Sequence, residues 1–320
     1  MKLRAILILS VLAILLGFFS FWMAQQSYSW FPPEAAAESK LVDDLFSIFV
    51  GLGTFIFFGV TIPILYSLVF HRAGKYDYSD GPAIEGNTLL EVIWTAVPIA
   101  LVLSLSFASY RTYDKMSIQG SMESMHLHLP QLVEVANAAP FDDTPQKEIK
   151  AAQETAPTED IDVTAKQWSW VFRYPDQNVT STELHLPVDR RIHLAMHSDD
   201  VLHGFYVPAF RLKQDIVPNR IIDFEFTPVR IGTYPLRDSL YSGTYFAANQ
   251  ATIVVQSIDD YQQWLTDAAA QTPSPAYNQA DFEYTKGTKS GNIGGWKTVV
   301  PASPPVVNYS SKAQGNSPPA

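Results

Sequence analysis

The chain has 320 residues, 47% of them apolar, a formal net charge of -10 and no Cys. Without thiols, disulfides and thiolate metal sites are excluded, and the negative balance argues against a nucleic-acid partner. The length suits roughly two domains, and the longest apolar runs are segregated into the first third.

Three uncharged apolar runs open the chain: Ala5–Ala24, Leu45–Phe70 and Val92–Tyr110. Each is near the roughly 20 residues that cross a bilayer as a helix. Residues 1–26 read either as an uncleaved anchor or as a signal segment. Lys2 and Arg4 would form a signal's basic region, but the apolar core is longer than about 7–15 residues, and Trp22 is a poor small-residue position before Ala24. Residues 40–112 form a transmembrane helical hairpin. Basic residues cluster before the first run and after the second (His71, Arg72, Lys75), whereas the loop between them carries Glu34, Glu38, Asp43 and Asp44. Excess cytoplasmic Lys and Arg then puts everything after Tyr110 outside the cytoplasm.

Residues 113–158 read as a linker rich in Ala, Gln, Glu and Pro. Met122, Met125, His126 and His128 within it are incidental side chains of a solvated linker or, alternatively, copper-scavenging ligands. From residue 159 to 258 apolar and polar residues alternate in short runs, as in RRIHLAMHS and RIIDFEF, broken by Pro, Gly and Asp. That pattern predicts a β-sandwich or barrel. His185 and His193 fall inside strands and read as packing or surface residues. Residues 259–320 start with a short helical stretch, YQQWLTDAAAQ, and continue as a Pro- and Ser-rich tail, of which the final ~35 residues are expected to be disordered or loosely draped.

The hairpin, the QWSW strand, VLHGFYVP, RLKQDIVPNR and RIGTYPLRDSLYSG occur in an order that resembles subunit II of haem-copper terminal oxidases over roughly residues 40–258. The resemblance implies a membrane-anchored α plus all-β chain: a two-helix hairpin with an extra N-terminal anchor or signal, then a cupredoxin-like β-sandwich. In the cytochrome c oxidases of that family the sandwich holds a dinuclear copper centre. Its ligands are a His after a Val-Leu dipeptide and a later cluster of Cys, Glu, Cys, His and Met. His203 matches the first His. Counting from Gly232-Thr233-Tyr234, the cluster falls on Asp238, Leu240, Ser242, Phe246 and Asn249. These are vestigial positions, since soft thiolates suit a copper pair and none remains. A residual single ion on His203 and Asp238 stays open as an alternative to a packed or hydrogen-bonded relic. At the family's magnesium-binding Glu, Leu240 offers no side-chain oxygen.

Trp168 matches the aromatic residue that passes electrons from cytochrome c to copper, a role without an acceptor here. The alternative for Trp168 and Trp170 is plain packing. Glu91 matches a carboxylate at the mouth of a proton channel, and otherwise reads as an interfacial Glu favouring a helix N-terminus.

The resemblance thus implies a quinol-oxidase-type subunit II, similar to the cyanobacterial alternative respiratory terminal oxidase form. It would bind no cofactor itself, while haems and one copper reside in a partner subunit I. Its expected surroundings are subunit I, a subunit III, membrane lipid, and quinol through the complex, in a plasma or thylakoid-type bacterial membrane. Two further readings remain: a cytochrome c oxidase subunit with an altered donor site, and a copper-free assembly module. An exported copper carrier is a third, resting on the Met/His linker.

Overall fold

The computed structural model describes residues 2–72, 86–116, 158–272, 278–291 and 295–301. The Met/His group at 122–128 and most of the linker lie outside the described residues. The chain divides into two units: residues 1–32 with 40–116, and residues 33–39 with 117–320.

The first unit contains helices α1 (Lys2–Gln26), α2 (Ala37–Phe70) and α3 (Thr88–Met116). All three are long and apolar enough to cross a membrane. At 34 residues, α2 rises about 50 Å, more than the ~30 Å hydrocarbon core. Its first turns, which carry Glu38, Lys40, Asp43 and Asp44, can therefore project beyond the lipid. Pro63 in α2 and Pro98 in α3 are of a kind tolerated in membrane helices. α1 and α2 touch through small residues: the Ser47 hydroxyl donates to the Ala24 carbonyl at 2.9 Å, and a Cβ on Gly51 would stand 3.1 Å from that of Ala24. Close approach through small side chains is how helices pack where lipid removes the hydrophobic drive.

The second unit is a sandwich of two five-stranded sheets. One sheet has the order β3 (Val179–Ser181), β2 (Ser169–Tyr174), β1 (Thr158–Lys166), β5 (Arg191–Ser198), β8 (Ile222–Phe226). The other has β4 (Leu184–Pro187), β10 (Gln250–Gln256), β9 (Gly232–Asp238), β6 (His203–Val207), β7 (Leu212–Ile216). Pairs β1–β5 and β4–β10 are parallel. Alternation places Ile161, Val163, Leu194 and Phe226 of one sheet against Phe205, Val207, Leu236 and Ile253 of the other in one buried core. Each such side chain contributes about 1.5–3 kcal/mol through burial. This is the cupredoxin-like fold the resemblance implies.

Residues 33–39 belong to this sandwich although they precede α2 in sequence. Ala36 bridges Pro228, and the Ala37 amide donates to the Thr227 carbonyl at 2.9 Å. Glu38 accepts from the Arg191 guanidinium at 2.7 Å, and Arg191 also donates to Glu225 at 3.1 Å. The α1–α2 connection therefore shares the sandwich's side of the membrane, as the basic residues of the sequence require.

Two helices are described after the sandwich. Helix α4 (Ile258–Ala269) is capped by Ser257, whose hydroxyl accepts from the Asp260 amide, and it buries Tyr261, Leu265 and Ala268 on one face. A further helix that the sequence pattern does not place, α5 (Gln279–Ser290), follows it. Its Gly and Thr content gives it poor intrinsic helicity. The Asn278 cap and contacts to distant aromatic rings supply what propensity does not.

Candidate functional site

The four positions His203, Asp238, Ser242 and Asn249 meet at one end of the second sheet. His203 starts β6 and Asp238 ends β9, strands paired through Phe205 and Asp238. Ser242 and Asn249 follow on the loop returning to β10. Two glycines permit this convergence. A Cβ on Gly204 would collide with Ser239 and stand 3.1 Å from Leu240. Gly243 has φ +110, and a Cβ there would press on Gln167 and Trp168 at 2.8 and 3.1 Å.

His203 is wholly buried. Its Nδ1 lies 2.7 Å from Asp238 Oδ2, and its Nε2 lies 2.9 Å from Asp200 Oδ1. Asp238 also accepts from the Gly204 backbone N–H at 2.7 Å, the Leu240 backbone N–H at 3.1 Å, the Ser242 hydroxyl at 2.8 Å and the Asn249 side-chain Nδ2 at 3.0 Å. Asp200 accepts from the Gln167 and Val201 amides at 2.7 and 2.6 Å.

Burial by itself would push the His203 pKa down. Hydrogen bonds to Asp200 and Asp238, with their charges, outweigh it and raise the value to about 9. Burial would likewise lift the Asp238 carboxyl, but the donors from His203, Gly204, Leu240 and Ser242 hold it below its ordinary value. Asp200 is lowered against burial by His203 and the Gln167 and Val201 amides. At neutral pH the centre is an imidazolium between two carboxylates.

This donor set does not fit a copper pair. An imidazolium has no lone pair to give a metal, Asp238 is saturated with donors, and no soft ligand is present. Single-ion binding to His203 and Asp238 would likewise have to expel the His203 proton and break their mutual hydrogen bond. Among the described residues, no group of three or more His, Asp or Glu is arranged to hold an ion.

The other two vestigial positions turn elsewhere. Leu240 gives only its amide to the cluster. Phe246 packs beside Trp168, Tyr245 and Ala248. Asp200 was not among the expected site residues, although its place three residues before His203 in SDDVLH is a local signal for it. Trp168 and Trp170 are each 1% exposed. Their indole N–H groups donate to the Ser242 carbonyl at 3.1 Å and the Asn249 carbonyl at 3.3 Å, tying the loop to β2 and the residue before it. Away from this cluster, Glu91 is exposed in the first turn of α3, which the Asn87 side chain caps through the Leu89 and Leu90 amides. His185 stacks on Trp264 at 3.8 Å, and His193 pairs with Asp160 and Asp223 at 2.8 and 3.1 Å.

Comparison with known proteins follows the same division. The family model for the cytochrome c oxidase subunit II transmembrane domain matches residues 20–112, and that for its periplasmic domain matches residues 178–258. Trp168 and α5 fall outside both matches. Cytochrome c oxidase subunit 2 of Synechocystis is 29% identical, over 88% of this chain and 87% of that protein. The Thermostichus vulcanus cytochrome c oxidase subunit 2 is 31% identical, over 80% of this chain and 83% of that protein. Quinol oxidase subunit 2 of Bacillus subtilis is 26% identical, over 84% of this chain and 75% of that protein. With membrane helices, a periplasmic cupredoxin-like sandwich and relatives matching along most of its length, the chain belongs to the subunit II family of haem-copper oxidases.

Proposed function

We propose that this subunit serves a quinol-oxidising terminal oxidase, in which electrons reach the catalytic subunit without crossing the sandwich. The observation that carries this reading is the closed cluster at the ligand positions. Both His203 ring nitrogens are engaged by carboxylates, and the carboxylate at the first thiolate position is taken up by His203, Ser242, Asn249 and two backbone amides. A centre built this way has no electron to accept or pass on. Haems and the oxygen-reducing copper then belong to subunit I, which this chain supports together with a subunit III.

The deciding measurement is oxygen uptake by the purified complex with a quinol and, separately, with reduced cytochrome c. Quinol-driven uptake is expected. Efficient cytochrome c oxidation without quinol would sink the proposal. That second outcome is the competing reading, and the cytochrome c oxidase names of the Synechocystis and Thermostichus relatives favour it. Purification without a catalytic subunit would point instead to an assembly module.

Glu91 is assigned to proton uptake from the cytoplasmic side. Ionisable residues in membrane-spanning segments are functional candidates, and Glu91 stands in the first turn of α3. Glu91→Gln should slow quinol-driven turnover in an assembled complex, and unchanged turnover would leave Glu91 as a helix-end residue.

A further inference from the structure

Trp168 occupies the turn between β1 and β2, at a margin of the sandwich, where a large ring would ordinarily keep an exposed edge. It is nevertheless 1% exposed. Tyr245 meets it edge-on with ring centroids 5.3 Å apart, and Tyr284 of α5 meets it edge-on at 5.1 Å. Trp296, beyond α5, stacks on Tyr284 at 5.2 Å and reaches Tyr245 at 6.0 Å. Ala280 is buried in the same cluster. Tyr284 and Ala280 of the C-terminal segment thus join Tyr245 and Ala248 of the sandwich loop around it.

Residues 295–301 lie against α5. Trp296 lies so close to α5 that a Cβ on Gly287 would come within 2.7 Å of its ring. The Gln279 side chain accepts from the Val300 amide at 3.0 Å, and Lys297 stands 4.0 Å from Glu283. A helix of 12 residues is marginal in water by itself, so its order depends on the aromatic contacts to Trp168 and Tyr245.

We propose that residues 278–291 and 295–301 form an intramolecular cover on the Trp168 face, which a macromolecule can reach only after they lift. The cover explains why an aromatic residue at a domain margin is sealed. It also makes the chain itself the occupant of the surface around Trp168. The inference rests on packing alone and does not depend on which donor feeds the oxidase.

Hydroxyl-radical footprinting of the full-length chain in its complex, read by peptide mass spectrometry, tests it. Trp170, also 1% exposed, is the protected reference, and Trp296, 42% exposed, the reactive one. In the unaltered protein Trp168 should be oxidised as slowly as Trp170. In the Tyr284→Ala, Trp296→Ala double variant it should be oxidised several-fold faster, with Trp170 unchanged. Gly287→Leu gives a second route, since it keeps a helix-favouring residue in α5 while forcing Trp296 away, and it should raise Trp168 oxidation as well. Trp168 reacting as fast as Trp296 in the unaltered protein would overturn the proposal. So would continued protection of Trp168 in both variants. Neither outcome bears on the donor assay, so the two readings fail separately.

Discussion

His203 and His193 each stand between two carboxylates, one in each sheet of the same sandwich. Their surroundings make them different objects. His203 and Asp238 have fully buried side chains, and every donor around Asp238 is directed inward. His193 lies on the outer face of β5, and its partners Asp160 and Asp223 are 70% and 52% exposed. There the hydrogen bonds and charges of the same two partners raise the His193 pKa against a burial effect, with water beside them. A His between two Asp is thus a surface ion pair in one place and the centre of a domain end in the other. Burial, not residue type, decides which.

Removing a partner should show the contrast at its largest. Asp238→Ala strands an imidazolium and several donors in the interior and should cost about 3–5 kcal/mol, the usual result of breaking a buried pair. Denaturant unfolding of the purified full-length chain would measure it. A loss as small as that expected at the surface pair would break the comparison.

The pH profile should follow the same asymmetry. His203 rises from 6.5 unfolded to about 9 folded, so its contribution is complete below about 6.5 and is lost as pH rises through about 9. Asp238 and Asp200 are depressed below 3.8, so theirs is present above that value and is lost as pH falls through the folded values. Unfolding midpoints should therefore decline on the alkaline side, and His203→Asn should flatten that decline. An unaltered profile in His203→Asn would show that another group governs it.

Gly243→Ala tests the loop that delivers Ser242 and Asn249. A side chain at φ +110, pressed on Trp168, should cost at least about 1–2 kcal/mol, seen as a lower thermal midpoint. At the surface pair, Asp160→Ala should change stability by no more than about 1 kcal/mol. A larger loss there would mean that His193 is held by more than its exposed partners.

Much of this was legible in the chain. Ala5–Ala24, Leu45–Phe70 and Val92–Tyr110 announced three spans because a helix crossing lipid needs length and apolarity and little else. Strand alternation around His193 and Phe224 announced the sandwich because side chains change faces at every residue. His203, Asp238, Ser242 and Asn249 were singled out through resemblance, as positions where ligands were missing. Asp200 went unread although it stands three residues before His203, because that spacing alone does not say that its carboxylate turns back onto the imidazole. Helix α5 went unread because its sequence is a weak helix former and its partner Trp168 lies more than a hundred residues away.

The sequence by itself determined the class of the molecule: a membrane-anchored sandwich with no thiol to bind copper. Periodicity and composition act locally, so one dimension suffices to read them. Tertiary structure alone decided what took the metal's place. Asp238, Ser242 and Asn249 lie 35, 39 and 46 positions beyond His203 in the chain, and only sheet pairing brings them within hydrogen-bond reach. The saturation of Asp238 and its pairing with His203 follow from that proximity and from the exclusion of water.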